Sequence, residues 1–563
     1  MAYDLTPIKA PRAAGLLLRG FVVAVENAAT GALLADKLLG DAGILALRER
    51  EVHTPLAAAH PVLDHGLPRA ATGRPPVDLG ALGDRLAAPP ARGAQEGVLD
   101  FARAYRDKRT DPRAVAERAL AIVAETEARS PAMRLFIAQD RDDLLRQAEA
   151  SAARHAAGQS LGPLDGVPVA VKDELDQAGY PTTVGTRFLG TAPATADAEV
   201  VARLRRAGAL LIGKANMHEI GLGVTGLNPH HGAARNPHDP ARATGGSSSG
   251  PAAAVAAGVC PLAVGADGGG SIRIPAALCG VFGLKATFGR VSEHGAAELC
   301  WSVGHVGPIA GSARDLALGY AVMAGPDGKD PQSLWQPEVD LDGLERPDLA
   351  GVRLGIYRPW FEDAEPDVVA RTRALVDALC AAGATLVEVE LPELETLRAV
   401  HLVTIVGEMA AAHAGHYARH RTDYGLDTRL NLALGRRFQA YDYVHAQRHR
   451  ARLGRLYAEA FAPIDALVTP ATGCTAPLLP ADALETGESN LPVTERVMRF
   501  AALANLTGQP AVSVPAGYDA AGLPVGLQLV GKPWQEALLL RLAFACEGLV
   551  ARHEPAVHHR YLG

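Results

Sequence analysis

"GGSSSGPAAAVAAGVCPLAVGADGGGSIRIP", residues 245–275, sets two clusters of glycine and serine at the ends of a run of small apolar residues. Glycine loses more backbone freedom on ordering than any other residue, so Gly268-Gly269-Gly270 is costly to fix unless the backbone itself has a task. In "GPAAAVAAG", Pro251 suits a first helical turn and Gly258 a terminator, which puts Ser247, Ser248 and Ser249 just before a helix N-terminus. The N–H groups there have no partner within the helix. "PLAVG" at 261–265 reads as a strand, followed by a second turn made of Gly268, Gly269, Gly270 and Ser271. Three consecutive glycines let successive N–H groups point into one concavity, the form of a backbone oxyanion hole. Ser271, at the end of that nest, is placed as a nucleophile, although the same spacing also suits a plain structural loop.

Such a serine needs a base, and no histidine and acid stand in an evident triad arrangement. Lys172 ends the β-branched run "GVPVAVKD" at 166–173. A lysine shielded from water at the end of an apolar strand can accept a proton as the neutral amine, and serine–lysine relays are known chemistry. A surface lysine is the plainer alternative.

Outward from this segment, helix and strand patterns alternate. "DPRAVAERALAIVAETEA" has Asp111 as N-cap and Pro112 at the first helical position. "DAEVVARLRRAG" at 197–208 predicts a helix closed by Gly208, and "ALLIGK" at 209–214 a buried strand. The pattern returns in "VRLGIY" at 352–357, a helix at 366–382, "TLVEVEL" at 385–391, a long helix near 441–460 and "DALVTP" at 465–470. This is an α/β layered body around a largely parallel or mixed sheet.

With 563 residues, 48% hydrophobic and 21% charged, the chain has the composition of an ordinary soluble protein, and its net charge of −7 argues against nucleic acid as a partner. Its six cysteines show no CxxC or ladder spacing and read as buried thiols in a reducing compartment. "MAYDLTPIKAPR" lacks the basic start and apolar run of a secretory signal, so a cytoplasmic location is expected. Residues 13–39 predict a mostly apolar helix, interrupted by Arg19, Glu26, Asn27, Asp36 and Lys37 and so unfit to cross a bilayer. It either docks on the body or lies at a membrane interface or over the active site, with Lys9, Arg12 and Arg19 favouring anionic lipid. Residues 66–96, rich in Pro, Gly and Ala, read as a linker or irregular wrap. The division expected is an N-terminal helical extension and wrap over 1–95 and a catalytic domain over 96–563.

Three stretches in order resemble the amidase signature family: "LDGVPVAVKDELDQAGYPTTVGT", "TGGSSSGPAAAVAAG" and "GADGGGSIRIPAALCGVFGLKATFGRVS". They set 75 residues between Lys172 and Ser247 and 24 between Ser247 and Ser271. More narrowly, "GKANMHEIGLGVTGLNPHHGAARNPHDPARATGGSSSG" and "KAPRAAGLLLRGFVVAVENAATGALLADKLL" are similar to the plant-type fatty acid amide hydrolases, over nearly the whole chain. The resemblance implies a large twisted mixed sheet covered by helices on both faces, with an N-terminal helical extension. It implies a Ser–Ser–Lys triad with Ser271 as nucleophile, Ser247 as bridging serine and Lys172 as general base and acid. It further implies an oxyanion hole from Gly268, Gly269, Gly270 and Ser271, a cis or strained peptide before Ser247, and supporting roles for Asp267 and Arg273. One departure is Ala266, where the family usually carries threonine.

Competing motifs are weaker. "GSSSG" at 246–250 fits a nucleophile elbow centred on Ser248, but no strand precedes it. "GLGVTG" at 221–226 fits G-x-G-x-x-G but is followed by "LNPHHG" rather than a helix. His413, His416 and His420, or His218, His230, His231 and His238, could be read as metal ligands, yet the implied relay needs no metal and no cofactor. Met217, Met498 and Phe500 are candidates for lining an acyl pocket, with plain core packing as the alternative. The expected substrate is a small-molecule N-acyl amide, such as an N-acylethanolamine or primary fatty amide. Short or aromatic acyl amides, or the work of an amidotransferase subunit, are the alternatives. Peripheral membrane contact through the N-terminal helices and a homodimer are the partners left open.

Overall fold

A computed structural model of the chain describes residues 3–562 apart from 9, 28, 53–76, 88–94 and 347. Its strands are β1 (Ala13–Ala14), β2 (Phe136–Ala138), β3 (Pro168–Lys172), β4 (Leu210–Ala215), β5 (Leu262–Ala266), β6 (Phe282–Lys285) and β7 (Val306–Ala310), then β8 (Arg353–Ile356), β9 (Thr385–Glu388), β10 (Ala466–Pro470), β11 (Glu488–Ser489), β12 (Ala511–Tyr518) and β13 (Pro524–Gly531). Eleven form one sheet in the order β2-β4-β3-β5-β7-β6-β12-β13-β10-β8-β9. The sheet is mixed: β4, β3 and β5 run parallel, the neighbours from β5 through β10 are antiparallel, and β10, β8 and β9 are parallel again.

Side chains alternate between the two faces of a strand, so a strand buried at every position is covered on both. β3, β4, β5, β6, β7, β10 and β13 are buried throughout, which places helices over both faces of the sheet and explains why "PVAVK" and "LAVGA" carry little alternation. The predicted helices form as Pro112–Glu127, Glu199–Arg206, Pro366–Ala381 and Ala440–Phe461. Asp111 caps the first, its Oδ1 accepting from the N–H groups of Arg113 and Ala114, both at 2.9 Å.

The N-terminal region departs from the single helix expected over 13–39. It forms α1 (Gly15–Glu26), α2 (Gly31–Asp41) and α3 (Ile44–Glu49), with α1 and α2 bent by 112°. Asn27 makes the break: its Oδ1 accepts from Ala29 N at 2.8 Å and Thr30 N at 3.3 Å, a local alternative to the helical ladder. Gly31 then packs on the Val25 carbonyl with no room for a methyl group. α1 buries Leu18, Val22 and Val25 against the helix Leu426–Gly435, and Arg429 and Tyr417 bond Glu26 at 2.6–2.8 Å. The extension is therefore docked on the body. Leu16, Leu17, Val23 and Leu33 remain exposed on its outer side. Among the described residues no single helix is long and apolar enough to cross a membrane.

Most of the 66–96 stretch lies outside the described residues. Part of it is not irregular: Leu79–Arg85 is a helix, with Asp78 Oδ1 accepting from Ala81 N at 3.0 Å. An aspartate three residues before a free N–H outweighs two glycines in that turn.

Candidate active site

The two glycine and serine clusters meet at the C-terminal ends of β3 and β5. β3 is paired in parallel with β5, so Lys172, its last residue, stands beside Ala266, the last of β5. Lys172 Nζ lies 2.9 Å from Ser247 Oγ and 3.2 Å from Ala266 O. Ser247 precedes the helix Ser249–Ala256, every residue of which is buried, and the Gly246–Ser247 peptide is cis. Ser248 ties the two turns together: its N–H donates to Ser271 O at 3.3 Å, and its hydroxyl donates to Ala266 O at 3.1 Å and accepts from Ala266 N at 3.3 Å. Ser248 is thus a strut, not the centre of a nucleophile elbow. Lys172, Ser247 and Ser271 are 1%, 2% and 6% exposed and line one cavity of about 130 Å³.

The glycine turn is held from beneath. Asp267 accepts from Gly270 N at 2.7 Å, Ile272 N at 3.1 Å and the Arg273 guanidinium at 3.0 Å. Arg273 in turn bonds Gln528 Oε1 and Asn505 Oδ1, each at 2.6 Å, and Asn505 returns a bond to Asp267. With that guanidinium against it, the Asp267 carboxyl is held far below the usual carboxylate range, although full burial alone would raise it. His401 donates from Nε2 to Gly268 O at 2.9 Å, and burial lowers its imidazole to about 4, so it stays neutral. The roles expected of Asp267 and Arg273 are accounted for by these bonds.

Of the four N–H groups named for the oxyanion hole, that of Gly270 is taken by Asp267, because the turn folds back on its own supporting carboxylate. Those of Gly268, Gly269 and Ser271 have no partner among the described residues. Gly270 sits at φ +107°, where only glycine is comfortable. A methyl on Gly269 would come within 2.9 Å of His401 Cε1 and 3.1 Å of Met498 Cε.

Ser271 and Gly269 also face a second chamber of about 160 Å³, with Leu222, Val224, Ile405, Val406, Leu491 and Met498 on its apolar side and Asn431, Asn490, Thr494, His218, Asp427 and Glu488 on its polar side. Met498 is thus on the wall. Met217 and Phe500 are fully buried in apolar clusters, Met217 among Val184, Ile220 and Leu299, and Phe500 against Trp360 with ring centroids 5.3 Å apart. The histidines go to separate partners: His230 to Glu219 at 2.6 Å, His231 to Thr186 O, His238 to Cys279 O, His413 to the Tyr424 hydroxyl and His420 to Asp423. Among the described residues no three histidine, cysteine or carboxylate side chains converge as metal ligands. All six cysteines are free, but Cys300 and Cys380 are only half-buried, and Cys300 lines the triad cavity.

Sequence reasoning missed Glu174, His401, Asn505 and Glu293. Glu174 Oε2 stands 2.7 Å from Lys172 Nζ, so the lysine read as sitting in apolar surroundings has a carboxylate beside it. Its position two residues after Lys172 was the one available signal. The others come from distant segments.

The family model for amidases matches residues 118–540. A fatty acid amide hydrolase of Oryza sativa is 41% identical over the whole chain and 96% of its own length. A glutamyl-tRNA(Gln) amidotransferase subunit of Symbiobacterium thermophilum is 39% identical over 78% of this chain and 94% of its own. Among solved structures, the peptide amidase of Stenotrophomonas maltophilia superposes with a TM-score of 0.71 at 29% identity, covering 82% of this chain and 98% of its own. With motifs, sheet and relatives in agreement, the chain belongs to the amidase family.

Proposed function

We propose that this amidase hydrolyses N-acyl amides with long acyl chains, N-acylethanolamines or primary fatty amides, through an acyl-enzyme on Ser271. The observation that carries the reading is the 2.9 Å contact of Lys172 Nζ with Ser247 Oγ in the buried cavity that Ser271 shares, next to free N–H groups. Lys172, as the neutral amine, takes the Ser247 proton while Ser247 takes that of Ser271, and Ser271 Oγ bonds to the substrate carbonyl carbon. The carbonyl oxygen becomes an oxyanion facing the N–H groups of Gly268, Gly269 and Ser271. The relay then reverses: the ammonium returns its proton through Ser247 to the amide nitrogen, the C–N bond breaks and the amine leaves. Water attacks the ester by the same relay and releases the carboxylic acid. No step calls for a metal or cofactor.

The acyl preference is supported by the apolar wall of the second chamber, which opens at Ser271, because each buried methylene contributes roughly 0.8 kcal/mol. The extension supports it too: β1 pairs with β11, and Glu488, Ser489, Asn490 and Leu491 border that chamber. Contact of α1 and α2 with a membrane surface belongs to the same reading.

Rates on acyl amides from acetyl and benzoyl to palmitoyl are expected to rise with chain length, and a preference for acetyl or benzoyl over lauroyl and longer removes the lipid reading. Hydrolysis by the isolated chain separates it from an amidotransferase subunit, which needs a partner to supply ammonia. Fluorophosphonate labelling should map to Ser271. Ser271→Ala should abolish turnover, and Lys172→Ala or Ser247→Ala should each slow it about 10²- to 10⁴-fold at unchanged melting temperature.

A further inference from the structure

We infer that Glu174 is a positioning residue for Lys172, a fourth member of the relay that aims the amine at Ser247 and holds the ammonium once it forms. The inference rests on the Ser–Ser–Lys reading and adds to it. Three oxygen atoms surround Nζ: Ser247 Oγ at 2.9 Å, Ala266 O at 3.2 Å and Glu174 Oε2 at 2.7 Å. A neutral amine has two N–H groups and one lone pair. A backbone carbonyl and a carboxylate only accept, whereas a serine hydroxyl can donate. One N–H therefore turns to Ala266 O, the Glu174 carboxylate stands beside the nitrogen as a charge outside hydrogen-bond geometry, and the lone pair is left for Ser247 O–H, the bond the relay needs. When the proton arrives, the third N–H lies along the same line and the carboxylate faces the new charge. This is the part an acid plays behind a histidine base, orienting it and stabilising its protonated form.

Glu174 is suited to the part and committed to no other. It is 6% exposed, its backbone O accepts from Ala297 N at 2.8 Å, and Oε2 makes no hydrogen bond among the described residues, so its 2.7 Å approach to Lys172 Nζ is a contact of charges. The other charged groups nearby are engaged elsewhere. Asp173 faces Lys214 of β4 at 3.5 Å and accepts from Gly185 N. Asp267 holds Arg273 at 3.0 Å. Glu408, on the helix Leu394–Ala412, is bound by Ser302 N at 3.0 Å and the Tyr443 hydroxyl at 2.8 Å. Glu293 and Cys300, on the loop between β6 and β7, line the same cavity but make no ion pair with Lys172.

The test uses the full chain and the rate of Ser271 labelling by a fluorophosphonate against pH, which requires no knowledge of the natural amide. Glu174→Gln keeps the shape and removes the charge. Its alkaline plateau is expected to fall at least about tenfold, and its acid limb to move to lower pH, because the group that favours the protonated amine is gone. Glu174→Asp, which keeps the charge but withdraws it by one methylene, should give a limb between the two and recover part of the rate. A merely structural role would lower the rate at every pH and leave the limb in place, and that result, or profiles that superimpose, overturns the inference. If circular dichroism shows Glu174→Gln unfolded, the Glu174→Asp limb is read alone, and its coincidence with the wild-type limb overturns it equally. Failure of the wild-type chain to label at Ser271 sinks the relay itself, a separate outcome.

Discussion

At the scale of single residues the site is a set of acids whose neighbours assign them different states. Asp267 is ionised because Arg273 and Asn505 surround it, and a buried pair of this kind stabilises mainly in the sense that losing one partner costs about 3–5 kcal/mol. Glu293 is the opposite case. Burial raises its carboxyl from the ordinary 4.5 to about 8, and the negative charges of Asp330, Glu174 and Glu408 add to the effect. The folded chain then holds this proton more tightly than the unfolded one, so the group's stabilising contribution is full below about pH 4.5 and is lost as pH rises through about 8. One proton limits the slope to about 1.4 kcal/mol per pH unit. Glu293→Gln cannot lose that proton. Denaturant midpoints at pH 5, 6.5 and 8 should show the wild type losing stability relative to this variant as pH rises, and a constant difference across the three would exclude such a proton. None of this was legible beforehand, because the state of Glu293 depends on Asp330, Glu408 and Lys285, residues that adjacency in sequence does not connect.

At the scale of elements, what could be read were features whose causes are local. Asp111 with Pro112 starts a helix wherever it occurs, and Gly208 and Gly258 end the chains of N–H bonds that precede them. The turns that carry Lys172, Ser247 and Ser271 were legible for the same reason, while their roles as a triad, and that of Ser247 altogether, came from the resemblance to a family. The break at Asn27 was not, because an apolar run with one asparagine reads equally well as a continuous helix until Gly31 is seen to press on Val25. Gly250 sets the local rule against the contact it cannot foresee. Glycine inside a helix is about 1 kcal/mol less favourable than alanine, so Gly250→Ala in the helix Ser249–Ala256 ought to stabilise. In the fold, that methyl would press on the backbone of Leu135 and Asn216, with Asn216 O at 2.6 Å, and none of these atoms can move aside as a side-chain tip can. The expected outcome is destabilisation by on the order of 1–3 kcal/mol, as for other overpacked cores, accompanied by slower Ser271 labelling because Ser247 lies two residues before the same helix. Thermal and urea unfolding with labelling rates check it, and a variant as stable as the wild type shows that the helix has room to shift.

At the scale of the whole molecule, the sheet brings β3 and β5 side by side, and the long-range pairs then complete the site: Asp267 with Asn505, Gly268 with His401, β1 with β11. The same assembly leaves apolar side chains of the extension exposed. Leu16, Leu17, Val23 and Leu33 are 87%, 57%, 56% and 80% exposed on α1 and α2, while Leu18, Val22 and Val25 of α1 already fasten it to the body. Exposed leucines on the extension suit a partner surface, and Arg19 on the same helix as Leu16 and Leu17 suits an anionic one. On the proposed reading that partner is the lipid surface from which long-chain amides are drawn. Burying a leucine is worth roughly 1.5–3 kcal/mol, so the pair Leu16→Asp and Leu33→Asp should weaken binding to phosphatidylglycerol vesicles by at least about tenfold while leaving hydrolysis of a short, soluble acyl amide intact. Co-sedimentation at two ionic strengths measures the first and a colorimetric assay the second. Equal vesicle binding by wild type and variant rules out this face as the lipid contact, and a wild-type dimer that falls to monomer in the variant assigns it to a second copy of the chain.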